Sequence, residues 1–314
     1  MRKIRICFTW MTVALFLISG YSFGQTIVFE GDNTKEENIW GSYLVSGAFG
    51  VSYLFNDIQG DKNLFLSQFN LDQGVSIPEI SLRAYRAPEK DAFLDIITLD
   101  VTGFGAERYG RAAFRLEKRN LFFLAGGYTE RKYFADVASF VNPIFNPESE
   151  EALYRSFHTW DTKEKVFDLN GGFRVTSWLS FDALWQRTEL EGDSLITLHL
   201  LNNEFPLSEP INQTSNLFRL TADLRIKNFL FYKISGISNT FKLNQTTASE
   251  EDNVGIRGLP SGTSSIMLTE QSRTTAVDMD TWIIDQSLQI IPVERLFLEA
   301  SYKKSQTEGT SRGD

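Results

Sequence analysis

Residues 218–227 read Phe-Arg-Leu-Thr-Ala-Asp-Leu-Arg-Ile-Lys, and this stretch decides the fold. Apolar side chains occupy every even position from Phe218 to Ile226, and polar or charged side chains occupy every odd position from Arg219 to Lys227. Strict alternation is typical of a β-strand with one apolar and one wet face, whereas a helix repeats every three to four residues. The stretch therefore predicts a two-sided strand.

The same alternation recurs along most of the chain. It is clearest in four further segments, at 43–55, 166–175, 179–186 and 295–303. Weaker alternation occurs at 79–86, 92–102, 111–117, 121–131, 229–243 and 281–291. The pattern gives about ten or eleven strands, many near the ~9–11 residues that cross a bilayer at a tilt. We therefore predict an all-β fold, an antiparallel up-and-down transmembrane β-barrel or part of a larger one.

The composition is consistent with such a barrel. The chain has 26 Phe, 10 Tyr and 6 Trp, yet its mean hydropathy is −0.20. A barrel strand presents only every second residue to lipid, so mean hydropathy stays low. A soluble periplasmic β-protein is the alternative at this level. The net charge of −9 and the lack of a basic patch argue against a nucleic-acid partner, and we predict none.

The N-terminus has the three parts of a secretory signal peptide. Basic residues at 2–5 precede an apolar core at 8–18, and Ser22-Phe23-Gly24 places small residues before a cleavage site. A buried N-terminal helix is the alternative. We predict a signal peptide at 1–24, an N-terminal periplasmic segment at 25–41 and the barrel at 42–314. The single cysteine, Cys7, lies within the signal peptide, so the mature chain has no disulfide.

The lengths of the connections indicate how the strands are oriented. From residue 111 onward, short links at 118–120, 176–177, 227–228 and 292–294 alternate with long polar stretches at 132–165, 188–216 and 244–280. Outer-membrane barrels have short periplasmic turns and long external loops. A soluble sandwich has no reason to place every long loop at one end. Between 56 and 110 the up-and-down order does not close, so either 64–70 or 79–86 is not a full span, or both form one bent strand.

The last predicted strand, 295–304, follows a short turn and should run outward. A closed barrel should return to the periplasm, because an open edge in lipid leaves backbone groups unsatisfied. The chain ends at Asp314 without the aromatic last residue expected of a complete outer-membrane barrel. We therefore predict that 42–314 is truncated at its C-terminus. A small complete barrel, closed between its first and last strands, is the alternative.

No motif for catalysis, cofactor binding or metal binding is present in the sequence. His158 and His199 fall in or near predicted external loops, and there is no haem-attachment, zinc or phosphate-loop motif. We predict no catalytic residues, no cofactor and no metal, and a protein that is not an enzyme. The glycines at 103–105 and 126–127 are expected to mark bends or close packing in strands.

The polar faces of the strands are the candidate functional surface. Charge is tolerated in a water-filled or protein-filled lumen but not in lipid. These residues either serve a function in the lumen or only solvate its wall. The lumen-facing candidates are Asp168, Asn170, Arg174, Asp182, Arg219, Asp223, Arg225, Lys227, Glu299 and Lys303.

Four segments resemble parts of the large outer-membrane barrels associated with decahaem cytochromes, the MtrB/PioB type. They lie at 47–55, at 69–74, at 133–134 followed by 138–143, and at 203–206. The resemblance implies a longer barrel that acts as a sheath around a multihaem cytochrome and insulates its electron path. Because this chain has no haem motif, the haem would belong to that partner.

We therefore expect a conduit in the cell outer membrane, in contact with outer-membrane lipid. The conduit is either a porin-like transport channel or a sheath for an electron-transfer partner. The alternative is a surface interaction protein that acts through long external loops.

The signal peptide gives a direct prediction about processing. Edman or mass-spectrometric sequencing of the exported protein should find Gln25 as its first residue. An exported, folded protein that keeps Met1 would contradict the secretory interpretation.

Overall fold

The computed structural model describes residues 38–60, 62–136, 159–200, 203–227, 229–249, 253–254, 256–257, 267–268, 271–293 and 296–313. Nearly all of them form antiparallel β-structure, and the described part contains one short helix, α1, at Lys62–Phe69. The strands are β1 Asn38–Trp40, β2 Tyr43–Leu54, β3 Gly74–Arg86, β4 Ile96–Thr102, β5 Phe104–Gly105, β6 Tyr109–Lys118, β7 Phe122–Asp136, β8 Thr159–Thr176, β9 Leu179–Leu200, β10 Asn203–Ile226, β11 Leu230–Ser249, β12 Asn253–Val254, β13 Ile256–Arg257, β14 Met267–Leu268, β15 Gln271–Val293 and β16 Leu296–Gly313.

One up-and-down sheet contains all the long strands. Its order is β1-β2-β3-β4-β6-β7-β8-β9-β10-β11-β15-β16, with β5 added beside β3 and β13 beside β10. Strands β12 and β14 form a separate pair. This confirms the prediction of an all-β, antiparallel, up-and-down architecture. Among the described residues, β16 pairs only with β15, and β2 pairs with β1 and β3.

The two ends of the sheet differ in their connections. At one end, here called the turn end, the strands are joined by 87–95, 119–121, 177–178, 227–229 and 294–295. At the other, the loop end, they are joined by 55–73, 103–108, 137–158, 201–202 and 250–270. The four short links predicted from residue 111 onward are confirmed to within two residues. The up-and-down order also closes between 56 and 110, because β3 spans the sheet and α1 does not.

Helix α1 occupies most of the predicted segment 64–70 and covers an edge of β7. The ladder between β6 and β7 ends at the pair Tyr109 and Arg131, while β7 continues to Asp136. The backbone N–H of Asp136 donates to Ser67 Oγ at 2.6 Å, and Asn70 Nδ2 donates to the carbonyl of Lys132 at 3.0 Å. The helix region thus supplies hydrogen-bond partners where β6 no longer does.

The prediction of a long external loop at 188–216 is wrong. Strands β9 and β10 remain paired from Leu179 and Leu224 up to Leu200 and Asn203, and only 201–202 joins them. The stretch looked loop-like because it is polar, but residues 194–198 read Ser-Leu-Ile-Thr-Leu and favour a strand.

The other two predicted long loops are shorter than expected. The stretch 244–280 belongs partly to β11 and β15, which leaves 250–270 as the connection. In the stretch 132–165, β7 runs to Asp136 and β8 starts at Thr159. The intervening 137–158, with His158 and part of the 133–143 resemblance segment, lies outside the described residues.

A buried carboxylate ties two connections together at the turn end. The Asp95 side chain is 5% exposed, and its Oδ1 lies 3.0 Å from Arg86 Nε and 3.6 Å from Lys118 Nζ. The backbone N–H of Arg119 donates to Asp95 Oδ2 at 2.8 Å. Burial opposes ionisation, but the Arg119 hydrogen bond and the two cations outweigh it and hold the Asp95 pKa below its ordinary value.

This lowered pKa predicts a pH-dependent contribution to stability. The ionised Asp95 favours the folded state above the ordinary aspartate pKa, and this contribution is lost as pH falls through the lower folded-state pKa. Asp95→Asn should therefore lower the urea midpoint of the detergent-folded protein at pH 7, and the gap to wild type should shrink toward pH 3. Asp91→Asn, an exposed carboxylate of the same connection, is the control. A gap that is equal at both pH values would contradict the prediction.

Candidate functional site

The cross-strand register assigns the side chains of the sheet to two faces. Residues paired directly across neighbouring antiparallel strands project to the same side. Phe218 on β10 pairs with Trp185 on β9, which pairs with Leu169 on β8. Arg219, one residue further, pairs with Leu184, which pairs with Asn170. We call the Phe218 side the apolar face and the Arg219 side the polar face.

An apolar belt crosses the apolar face from strand to strand. About half of its large side chains are exposed, such as Phe218 at 48% and Leu220 at 49%, and the others are half-buried. The belt contains Leu82, Leu99, Phe114, Leu116, Phe122, Leu124, Leu169, Phe173, Leu179, Phe181, Trp185, Phe218, Leu220, Leu224, Ile226, Ile234, Trp282, Ile284, Leu288, Ile290 and Leu298. On β10 it extends from Phe218 to Ile226, roughly 26 Å along the strand.

A row of charges bounds the belt toward the loop end. Beyond Trp185, the same face of β9 carries Arg187, Glu189 and Glu191, and the two glutamates pair across the sheet with Lys165 and Lys163 on β8. Arg187 Nη2 lies 2.6 Å from Glu189 Oε1, and Lys165 on β8 pairs with Glu191. The apolar face is therefore apolar only in the part nearer the turn end.

The buried residues show the opposite chemistry to the exposed belt. Among the described residues, the buried apolar side chains are few, namely Ala84, Ala87, Ala106 and Phe205. The buried polar residues are more numerous, namely Ser52, Ser76, Asp95, Asp136, Thr162, Ser194, Glu209, Thr221, Ser235 and Ser249. Water-soluble proteins bury apolar residues and rarely expose a continuous apolar surface of this extent. Such a surface marks contact with a membrane or with another protein.

The register places nine of the ten lumen candidates on the polar face. Asp182 is in one row with Thr221 and Lys303, and Arg174 is in one row with Asp223. The remaining residues of this face are Asp168, Asn170, Arg219, Arg225 and Glu299. Lys227 lies in the turn between β10 and β11 with a φ of 46°, so the register assigns it to neither face.

Three of the candidates meet in a cavity at the turn end. The cavity has a volume of about 560 Å³, and Arg174, Asp223 and Arg225 line it together with Lys233. Lys233 was missed from the sequence because it lies in a weakly alternating segment. Its odd position between Tyr232 and Ile234 already marked it as part of the polar face.

Six further charged residues of the polar face were also missed, and they form ion pairs. Arg83 Nη2 lies 3.7 Å from Asp100 Oδ1, Arg115 Nη2 lies 2.6 Å from Glu117 Oε2, and Arg131 Nη1 lies 3.3 Å from Glu164 Oε2. They occupy β3, β4, β6, β7 and β8, where sequence alternation was weaker or the stretch resembled a loop. The polar face is thus a mixed-charge surface from β3 to β16.

The described residues contain no group of three or more His, Cys, Asp or Glu side chains that could hold a metal ion. No helix in the described part of the chain is both long and apolar enough to cross a membrane. His199 belongs to β9, and its side chain lies outside the described part of the structure.

The fold and the two faces define the class of this chain: an all-β protein built on one antiparallel up-and-down sheet. Comparison with protein-family models and with curated proteins finds no match.

Proposed function

We propose that this protein is an outer-membrane β-barrel that acts as a conduit, with the apolar belt against lipid and the polar face around the lumen. The observation that carries the proposal is the belt itself: large apolar side chains exposed on one face, with charges beyond it. Burying exposed apolar surface contributes roughly 25 cal/mol per Å², and lipid can cover a belt that encircles a barrel.

The dimensions of the belt agree with this placement. Transmembrane barrels carry an outward apolar band about 25 Å tall on strands tilted by roughly 35–45°. A belt of roughly 26 Å along β10 gives about 20 Å of height at such a tilt. The charged row that begins at Arg187 would then lie at the level of the lipid headgroups.

The connections support an orientation with the turn end in the periplasm. Outer-membrane barrels keep their tight turns on the periplasmic side. Strand β2 starts at the turn end with Tyr43, so the predicted periplasmic segment 25–41 would enter from that side. The loop end, with the extended β9–β10 hairpin, would project outward.

One observation favours a second form of the conduit, a sheath around a partner protein. Near the loop end, the polar face carries two adjacent apolar pairs, Phe241 with Met279 and Leu243 with Val277. Water in an open channel gains nothing from such a lining, whereas a bound protein can pack against it. A multihaem cytochrome is the partner that the family resemblance implies.

The belt predicts a face-dependent cost for a buried charge. Ala183→Arg, on the apolar face between Phe181 and Trp185, should lower the free energy of unfolding in lipid vesicles by roughly 2–4 kcal/mol. Gln186→Arg lies on the polar face of the same strand and pairs with Asp168, so it should cost far less. The unfolding free energies of both variants are measured by urea titration, with tryptophan fluorescence as the signal. Equal costs would show that the two faces do not differ in their surroundings.

The conduit is tested by reconstituting the protein in planar bilayers. An open channel should give steady ion conductance. Low conductance, together with co-purification of a haem-containing partner from the native membrane, would support the sheath. If the protein neither conducts nor retains a partner, and its loop end binds a surface ligand, the interaction-protein alternative replaces the conduit.

A further inference from the structure

The cavity at the turn end combines three cations with one carboxylate. Arg174 comes from β8, Arg225 from β10 and Lys233 from β11, and the carboxylate is Asp223. Asp223 pairs across the sheet with Ser180 on one side and Lys233 on the other, and Ser180 pairs with Arg174. The cations therefore approach the same space from separate strands.

These cations differ from three arginines elsewhere on the polar face. Arg83, Arg115 and Arg131 each lie within 4 Å of a carboxylate. No carboxylate of the described residues lies that close to any of the three cavity cations. Arg111 and Arg219, on the same face, also have no carboxylate of the described residues within 4 Å. The cavity is distinguished by having three such cations around one carboxylate, which leaves it net positive.

The contacts that the two arginines do make orient them without neutralising them. Arg174 Nη1 donates to Asn120 Oδ1 at 3.4 Å, and the Arg225 guanidinium lies 5.1 Å from the centroid of the Phe231 ring. A guanidinium has five N–H donors in a planar fork, so both side chains keep donors for a ligand. The Ser287 hydroxyl lines the cavity as an additional neutral donor.

We propose that this cavity binds a small phosphate-type oxyanion. Arginine forks and a lysine ammonium are the groups that recognise such anions, and a cavity of about 560 Å³ holds a small organic phosphate. The site goes beyond the proposed function, because it requires the folded sheet and not a conducting pore. In the proposed orientation, the anion would bind at the periplasmic mouth.

Titration calorimetry with inorganic phosphate, on the full mature chain folded in zwitterionic detergent, tests the site. We expect saturable binding that weakens as the salt concentration rises. Arg174→Gln and Lys233→Gln should each weaken it about tenfold, because each removes one charge-assisted hydrogen bond. Lys303→Gln, a polar-face lysine that pairs with Asp285 outside the cavity, is the matched control and should leave the affinity unchanged.

The Asp223→Asn variant provides the most discriminating test, because it should change the phosphate affinity in the opposite direction to the other variants. Asp223 is the only carboxylate among the described residues that line the cavity. Removing it should tighten phosphate binding, an effect that damage to the fold cannot imitate. The proposal is overturned if phosphate does not bind saturably, if Asp223→Asn weakens binding, or if Lys303→Gln weakens it as much as Lys233→Gln. Conductance in bilayers is measured separately, so failure of the site and failure of the conduit are distinguishable.

Discussion

The two-faced character of this sheet depends on an uninterrupted cross-strand register. A slip of one residue would move every side chain of a strand to the opposite face. Strands β9 and β10 are paired without a shift from Leu179 and Leu224 to Leu200 and Asn203. Strands β10 and β11 are paired without a shift from Ile226 and Leu230 to Asn212 and Asn244. The three irregularities lie elsewhere: at Gly50/Ser52, at Arg174/Thr176 and at Ile290/Val293. The irregularities at Arg174/Thr176 and Ile290/Val293 lie at the turn end. They therefore leave the assignment of the belt residues to the apolar face unchanged.

Glycines allow the aromatic side chains to fit within this register. A Cβ at Gly126 would lie 2.5 Å from Phe114 Cε1 on the apolar face, and one at Gly172 would lie 2.3 Å from Phe123 Cε1 on the polar face. Both rings therefore lie over a neighbouring backbone that has no side chain. Gly103, with a φ of +71°, is in the bend between β4 and β6. The expectation of bends or close packing is confirmed at Gly103 and Gly126, and Gly172 is a further close approach that was not predicted.

Much of the strand arrangement was predictable from the sequence, because alternation is a local property. Membership of a face follows directly from it, which is why residues such as Asp182 and Arg219 could be named in advance. The extended β9–β10 hairpin was not predicted, because its many polar residues resemble a loop and outweighed the strand-favouring residues at 194–198. Helix α1 was also not predicted. Its role is to supply hydrogen-bond partners where β7 extends beyond β6, and this depends on the lengths of two other strands. The cavity could not be predicted from the sequence, because only the pairing of neighbouring strands places Lys233 and Arg174 around the same space.

The directions of the outermost long strands have a consequence for symmetry. Strands β2 and β16 both run from the turn end to the loop end, so pairing them directly would be parallel in a sheet whose ladders are all antiparallel. A twofold axis that pairs β16 with β16 of a second copy would turn one copy upside down. Two copies whose strands run in the same direction therefore cannot join these edges through an antiparallel ladder. Any strand that completes β16 by antiparallel pairing must descend from the loop end to the turn end.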